Sequence, residues 1–114
     1  MRKESEKIAL AFSKRQPATA KRTNTDGEKV TLHGNTIAWW NADGSLSLTL
    51  AGWPTTTTRE RLNAICETLG YGRPFHQKRN VQYHNETEIN EHNTITYHPL
   101  RMVDPEEWMA RNAA

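Results

Sequence analysis

Histidine and carboxylate side chains crowd the second half of this 114-residue chain, and the chemistry they are suited to is metal binding. His84, His92 and His98, with His76 upstream, lie near Glu86, Glu88 and Glu91, all of them ligand types. Zinc motifs usually contain one tight pair, such as two ligands at i and i+4 on a helix, whereas seven and then five residues separate these histidines. Surface histidines are the expectation, with no metal. Nucleophilic catalysis has as little behind it. Cys66 falls on the apolar stripe of an expected helix, where a thiol behaves as a small hydrophobe. No G-x-S-x-G, P-loop or G-x-G-x-x-G is present. Glu86 and Glu88 lack an apolar setting that would raise the pKa of one of them. The chain is therefore expected not to be an enzyme, with no catalytic residue and no cofactor.

Cations offer a different chemistry. Residues 1–22 hold Arg2, Lys3, Lys7, Lys14, Arg15, Lys21 and Arg22 against Glu4 and Glu6, a net +5. The remainder carries eight cations and eleven carboxylates, a net −3. A basic arm on a mildly acidic body points to a polyanion or an acidic protein as partner. A second concentration follows T-T-T-T-R-E-R, residues 55–61. There, free N–H groups, hydroxyls and the positive end of a helix dipole favour an anion. Arg59 and Arg61 stand about 200° apart on a helix turning ~100° per residue, so at most one of them serves any single ligand. Arg73, Lys78 and Arg79 follow, interleaved with His76 and Tyr83, a mixture suited to stacking on single-stranded nucleic acid. Two tryptophans complete the candidates. Trp40, if it projects from the open face of a sheet, would anchor a protein interface. Trp53, between Gly52 and Pro54, reads as a packed corner.

Those residues need elements to position them. One domain is expected, with residues 1–27 as a basic arm, partly helical or flexible, and residues 28–114 as a single α+β body. Gly34-Asn35 reads as a type II′ hairpin turn placing Leu32 opposite Ile37 and Val30 opposite Trp39, all on one face. Asn41-Ala42-Asp43-Gly44 is a second turn, followed by the alternation Leu46, Leu48, Leu50. A symmetric loop puts Trp39 inside; a bulge at Gly44 pairs Leu46 with Trp40 and exchanges the tryptophans. Trp39 inside is the preferred register. Next comes a helix capped through Thr57 and Glu60, with Thr55, Thr56 and Thr58 as alternatives. Its stripe is Leu62, Ile65, Cys66 and Leu69, and Gly70 stops it. Beyond it, Phe75, Val81 and Tyr83 share the parity of one strand, and Ile95 and Tyr97 that of another, as a second hairpin. Asp104-Pro105-Glu106-Glu107 starts a short C-terminal helix. The lone Cys66 fits a reducing cytoplasm, no apolar run reaches membrane-span length, and the amino terminus lacks signal-peptide features.

Two segments carry a resemblance: L-H-G-N-x-I-A, Leu32 to Ala38, and A-G-W-x-T-x-T-T-x-x-R-L-N, Ala51 to Asn63. Together they resemble small accessory proteins of tailed bacteriophages, over about residues 28–72. The resemblance implies a setting in the cytoplasm of an infected bacterium and carries no activity with it. The leading expectation is thus non-catalytic binding to nucleic acid. Its residues are Arg2, Lys3, Lys14, Arg15, Lys21, Arg22, Arg59, Arg61, Arg73, Lys78 and Arg79. The alternative is a protein-binding inhibitor of a bacterial host enzyme or anti-phage defence system, acting through Trp40. A small metal-dependent enzyme is the last of the three. No membrane partner is expected, and no feature sets an oligomeric state.

Overall fold

A computed structural model describes residues 3–98. They run as α1 (Lys3–Ser13), β1 (Ala18–Ala20), β2 (Thr23–Thr25), β3 (Lys29–Leu32), β4 (Asn35–Trp40), β5 (Leu46–Thr49) and α2 (Thr56–Thr68). Then follow β6 (Phe75–Lys78), β7 (Val81–His84), β8 (Thr87–Ile89) and β9 (Thr94–Tyr97). A six-stranded antiparallel sheet has the order β1-β2-β3-β4-β5-β9, and β6-β7-β8 form a three-stranded antiparallel sheet of their own. The expected α+β class holds, as does the meander β3-β4-β5. The second half differs. Its hairpin is β6–β7, turned at Arg79 and Asn80, both in the left-handed region (φ 52° and 65°). The stretch read as one strand is therefore two, and β9 pairs with β5 instead. The C-terminal helix expected from Asp104 lies outside the described residues.

The first hairpin keeps its strands and changes its register. His33 and Gly34, with φ of 51° and 81°, are the two central residues, and Leu32 pairs with Asn35. That is a type I′ turn, which needs positive φ at both positions and so favours glycine at one. Farther along, Val30 pairs with Ala38 but Thr31 with Thr36, leaving Ile37 as a bulged extra residue. The bulge explains how consecutive Ile37 and Ala38 are both buried. Trp40 then pairs with Leu46, the alternative that exchanges the tryptophans. Trp40, not Trp39, packs against the core, while the Trp39 indole N–H donates to Asn41 Oδ1 at 3.1 Å.

Residues 3–25, expected as part of an arm, are built into this body. Ile8, Ala9 and Phe12 of α1 join one hydrophobic cluster with Val30, Leu48 and the α2 stripe. α1 packs chiefly against α2, and β1–β2 extend the sheet. The i, i+1, i+4 spacing of Ile8, Ala9 and Phe12 makes a narrow apolar face on α1.

Local chemistry bounds α2 as expected in kind, though one position differs. Thr55 is the cap: its Oγ1 accepts the Thr58 N–H at 3.1 Å. Leu62, Ile65 and Cys66 are buried and Leu69 packs against them. Gly70, at φ 89°, ends the helix in a Schellman motif, with Tyr71 N–H on the Cys66 carbonyl at 2.8 Å. Asn63 is buried and docks the small sheet. Its side chain accepts from the Phe75 N–H and donates to the Phe75 carbonyl, both at 2.8 Å. The edge of β6 is thereby satisfied from a helix.

Candidate functional site

The first turns of α2 lie between two unlike surfaces. Thr57 and Arg61 share one side of the helix; Thr56, Arg59, Glu60 and Asn63 share the other. On the first side, two hollows meet. One, of about 300 Å³, is mainly apolar and is walled by Leu32, Ile37, Leu50 and Trp53. The other, of about 260 Å³, is lined by Glu4, Lys21, Arg22, Thr23 and Arg61. Leu32, His33 and Thr57 border both, so the two adjoin.

Trp53 is 57 % exposed, which corrects the packed-corner expectation. The reason is a tight reversal. Ala51 and Gly52 both sit at positive φ (55° and 83°), and the Trp53 N–H donates to the Leu50 carbonyl at 2.9 Å. Gly52 N–H is tied to the Glu91 carbonyl at 2.7 Å. A fixed backbone thus presents an open indole face.

Arg61 is 5 % exposed. Its Nε donates to Thr23 Oγ1 at 3.0 Å and its Nη1 to Ser5 Oγ, joining α2 to β2 and α1. Among the described residues its partners are neutral hydroxyls. A buried guanidinium is costly unless a carboxylate is near, and the charge of Arg61 also acts on Glu4, which lines the same hollow. Arg61 is one of the residues lining the second hollow, with Lys21, Arg22 and Glu4. Glu4, the carboxylate of this hollow, is engaged by Lys21 at 3.0 Å. That Lys21 contact, then the helix backbone, holds its carboxyl below the usual range. Lys21, Arg22 and Arg61 against Glu4 leave the hollow net positive.

The other expected cations are dispersed. Arg59 Nη1 donates to the Pro54 carbonyl at 2.9 Å and to Gln82 Oε1 at 3.0 Å, cross-linking α2 to the small sheet, and burial lowers its pKa. Arg73 pairs with Glu67 at 2.8 Å. Lys78 and Arg79 are exposed at the tip of β6–β7. His76 and Tyr83 stack on one another, with centroids 5.3 Å apart. Lys3 and Lys14 lie exposed near the ends of α1. Arg15 Cζ sits 4.2 Å from the centroid of the Trp40 ring, and its Nη1 lies 3.6 Å from Glu28 Oε2. Arg2 lies outside the described residues. Trp40 itself stacks on Phe12 at 5.1 Å and donates to the Phe12 carbonyl at 3.1 Å, so its indole is engaged with α1.

The remaining chemical candidates are accounted for one by one. Among the described residues no three His, Cys, Asp or Glu side chains are placed to share a metal. His76 Nε2 meets the Asn85 carbonyl at 2.6 Å, and His84 bonds the Tyr97 hydroxyl. Burial lowers the His84 pKa and pushes the Tyr97 phenol up to about 12. The Cys66 thiol is pushed up to about 12 by burial, so it carries little thiolate. No helix among the described residues is long and apolar enough to cross a membrane.

Ser5, Thr23, Leu32, His33 and Trp53 were absent from the expected site. For Trp53 a signal existed: an aromatic residue between a glycine and a proline at a strand-to-helix corner. Ser5 and Thr23 had none, since what selects them is their distance to Arg61.

Fold and site together define a small α+β protein that holds cationic and apolar surface open beside the first turns of one helix. A family model described as Kyanoviridae Gp96 protein matches residues 1–102, and the chain belongs to that family of cyanophage proteins. The match takes the phage resemblance well beyond residues 28–72. Compared with curated proteins and with solved structures, the chain finds no match.

Proposed function

We propose that this phage protein acts by non-catalytic binding to nucleic acid, through phosphate contacts at the hollow holding Lys21, Arg22 and Arg61. One observation carries the reading. Arg61 is buried against hydroxyls and lines a hollow with two further cations. Arginine presents a planar fork of donors that matches phosphate, and a desolvated charge attracts an anion more strongly than one in water. The site thus supplies a fixed donor, with Lys21 and Arg22 at its rim. Arg59 and Arg73, engaged elsewhere, drop out of the contact set.

The test is fluorescence anisotropy of labelled DNA and RNA with the full chain across a salt series. Binding that weakens steeply with salt is expected, because each neutralised phosphate releases counterions. Replacing Lys21 and Arg22 together by alanine should flatten the log–log salt slope by about two. Absence of binding to either nucleic acid at low salt overturns the reading. So does a stoichiometric protein partner that survives nuclease treatment and competes for the same residues.

A further inference from the structure

We propose that the apolar hollow walled by Trp53 receives an unpaired base, making this protein a single-strand binder. The inference rests on the phosphate-binding reading of the neighbouring hollow and names the form of nucleic acid that fits both. Three features of the site support it. Trp53 is a large aromatic left 57 % exposed, and the chain holds it there with two successive positive-φ residues. The space beside it is about 300 Å³ and is lined by Leu32, Ile37 and Leu50. Ligand pockets run from about 300 to 1,000 Å³, so this hollow suits one planar ring system and not a large ligand. Finally, the apolar hollow adjoins the cationic one at Leu32, His33 and Thr57. An apolar slot beside an anion site matches one nucleotide of a strand, ring on one side and phosphate on the other.

Charge selects this occupant over an apolar peptide side chain. An apolar peptide gains nothing from the neighbouring cations Lys21, Arg22 and Arg61, whereas a nucleotide satisfies both halves of the site. Duplex ends the competition differently, because paired bases are stacked and cannot enter. Base–aromatic stacking is also tolerant of sequence, so little base preference is expected.

The experiment compares a short oligothymidylate strand with a duplex of equal length, using the full chain and two variants. The single strand should bind more tightly. Trp53→Ala should weaken single-strand binding about tenfold and leave duplex binding unchanged, since stacking is lost and phosphate contacts are not. Trp53→Phe, which keeps an aromatic face, should retain most of the affinity while losing the Trp53 share of the indole quenching expected on binding. Equal affinities for strand and duplex, both salt-dependent and both indifferent to Trp53→Ala, would overturn this inference and leave the phosphate reading standing. No binding of either form at low salt would remove both.

Discussion

Arg59 and Arg61 stand two residues apart on one helix, and they end in opposite circumstances. Arg59 spends its donors on the Pro54 carbonyl and the Gln77 and Gln82 side chains, fastening α2 to the small sheet. Arg61 points to the other side, donates to the hydroxyls of Ser5 and Thr23, and lines a hollow with Lys21, Arg22 and Glu4. Position on the helix separates them; what lies opposite decides their use. Carbonyl and amide oxygens satisfy a guanidinium internally and turn it into a cross-link. Hydroxyls hold Arg61 in place without neutralising it, and its neighbours in the hollow include two more cations.

The largest effect should come from the side that is purely structural. Asn63→Ala removes both partners of the buried Phe75 backbone, and orphaning two such groups should cost about 2–4 kcal/mol in urea unfolding. If the small sheet is held some other way, that loss will be much smaller. Arg59→Gln should cost less, about 1–2 kcal/mol, because its bonds are partly exposed. Its nucleic-acid affinity should stay close to that of the parent chain, and a large drop would erase the contrast with Arg61. Arg22→Ala reverses the pattern: stability should move by less than about 0.5 kcal/mol, as for most surface changes, while affinity falls and the salt slope shrinks by about one.

The smallest effect is one of pH, and it belongs to the contact between the two sheets. His84 bonds Tyr97, whose ring stacks on Tyr71 at 4.2 Å, so this cluster joins β7 to β9. Burial favours the neutral imidazole, placing its folded pKa below the ordinary 6.5. Its contribution to stability is therefore complete above that value and fades as pH falls through the lowered folded pKa. The urea midpoint should decline between about pH 7 and pH 5, and His84→Gln should flatten that decline. An unchanged slope in the variant would assign the pH dependence to other groups.

Local patterns made much of the fold legible. The α2 stripe, its Gly70 stop and the strands of the first hairpin depend on neighbours in sequence, and all three are present. Register was not legible, because the Ile37 bulge shifts the parity that places Trp39 and Trp40. The β6–β7 turn escaped notice because Arg79 and Asn80 adopt positive φ without a glycine to mark it. The site was readable only in part. Cation positions could be named, but Arg61 looks like any exposed helical arginine until α1 and β2 are brought over it. A long-range contact of that kind leaves no trace in spacing.

A nitrogen-detected NMR titration of the full chain with oligothymidylate addresses the Arg61 hollow most directly. The Arg61 Nε–H, sheltered by its bond to Thr23, and the Trp53 indole N–H should both shift as the strand is added, while the Trp40 indole and Arg59 signals stay still. Movement confined to Arg59, Arg73 or Trp40, with Arg61 and Trp53 silent, would contradict the account.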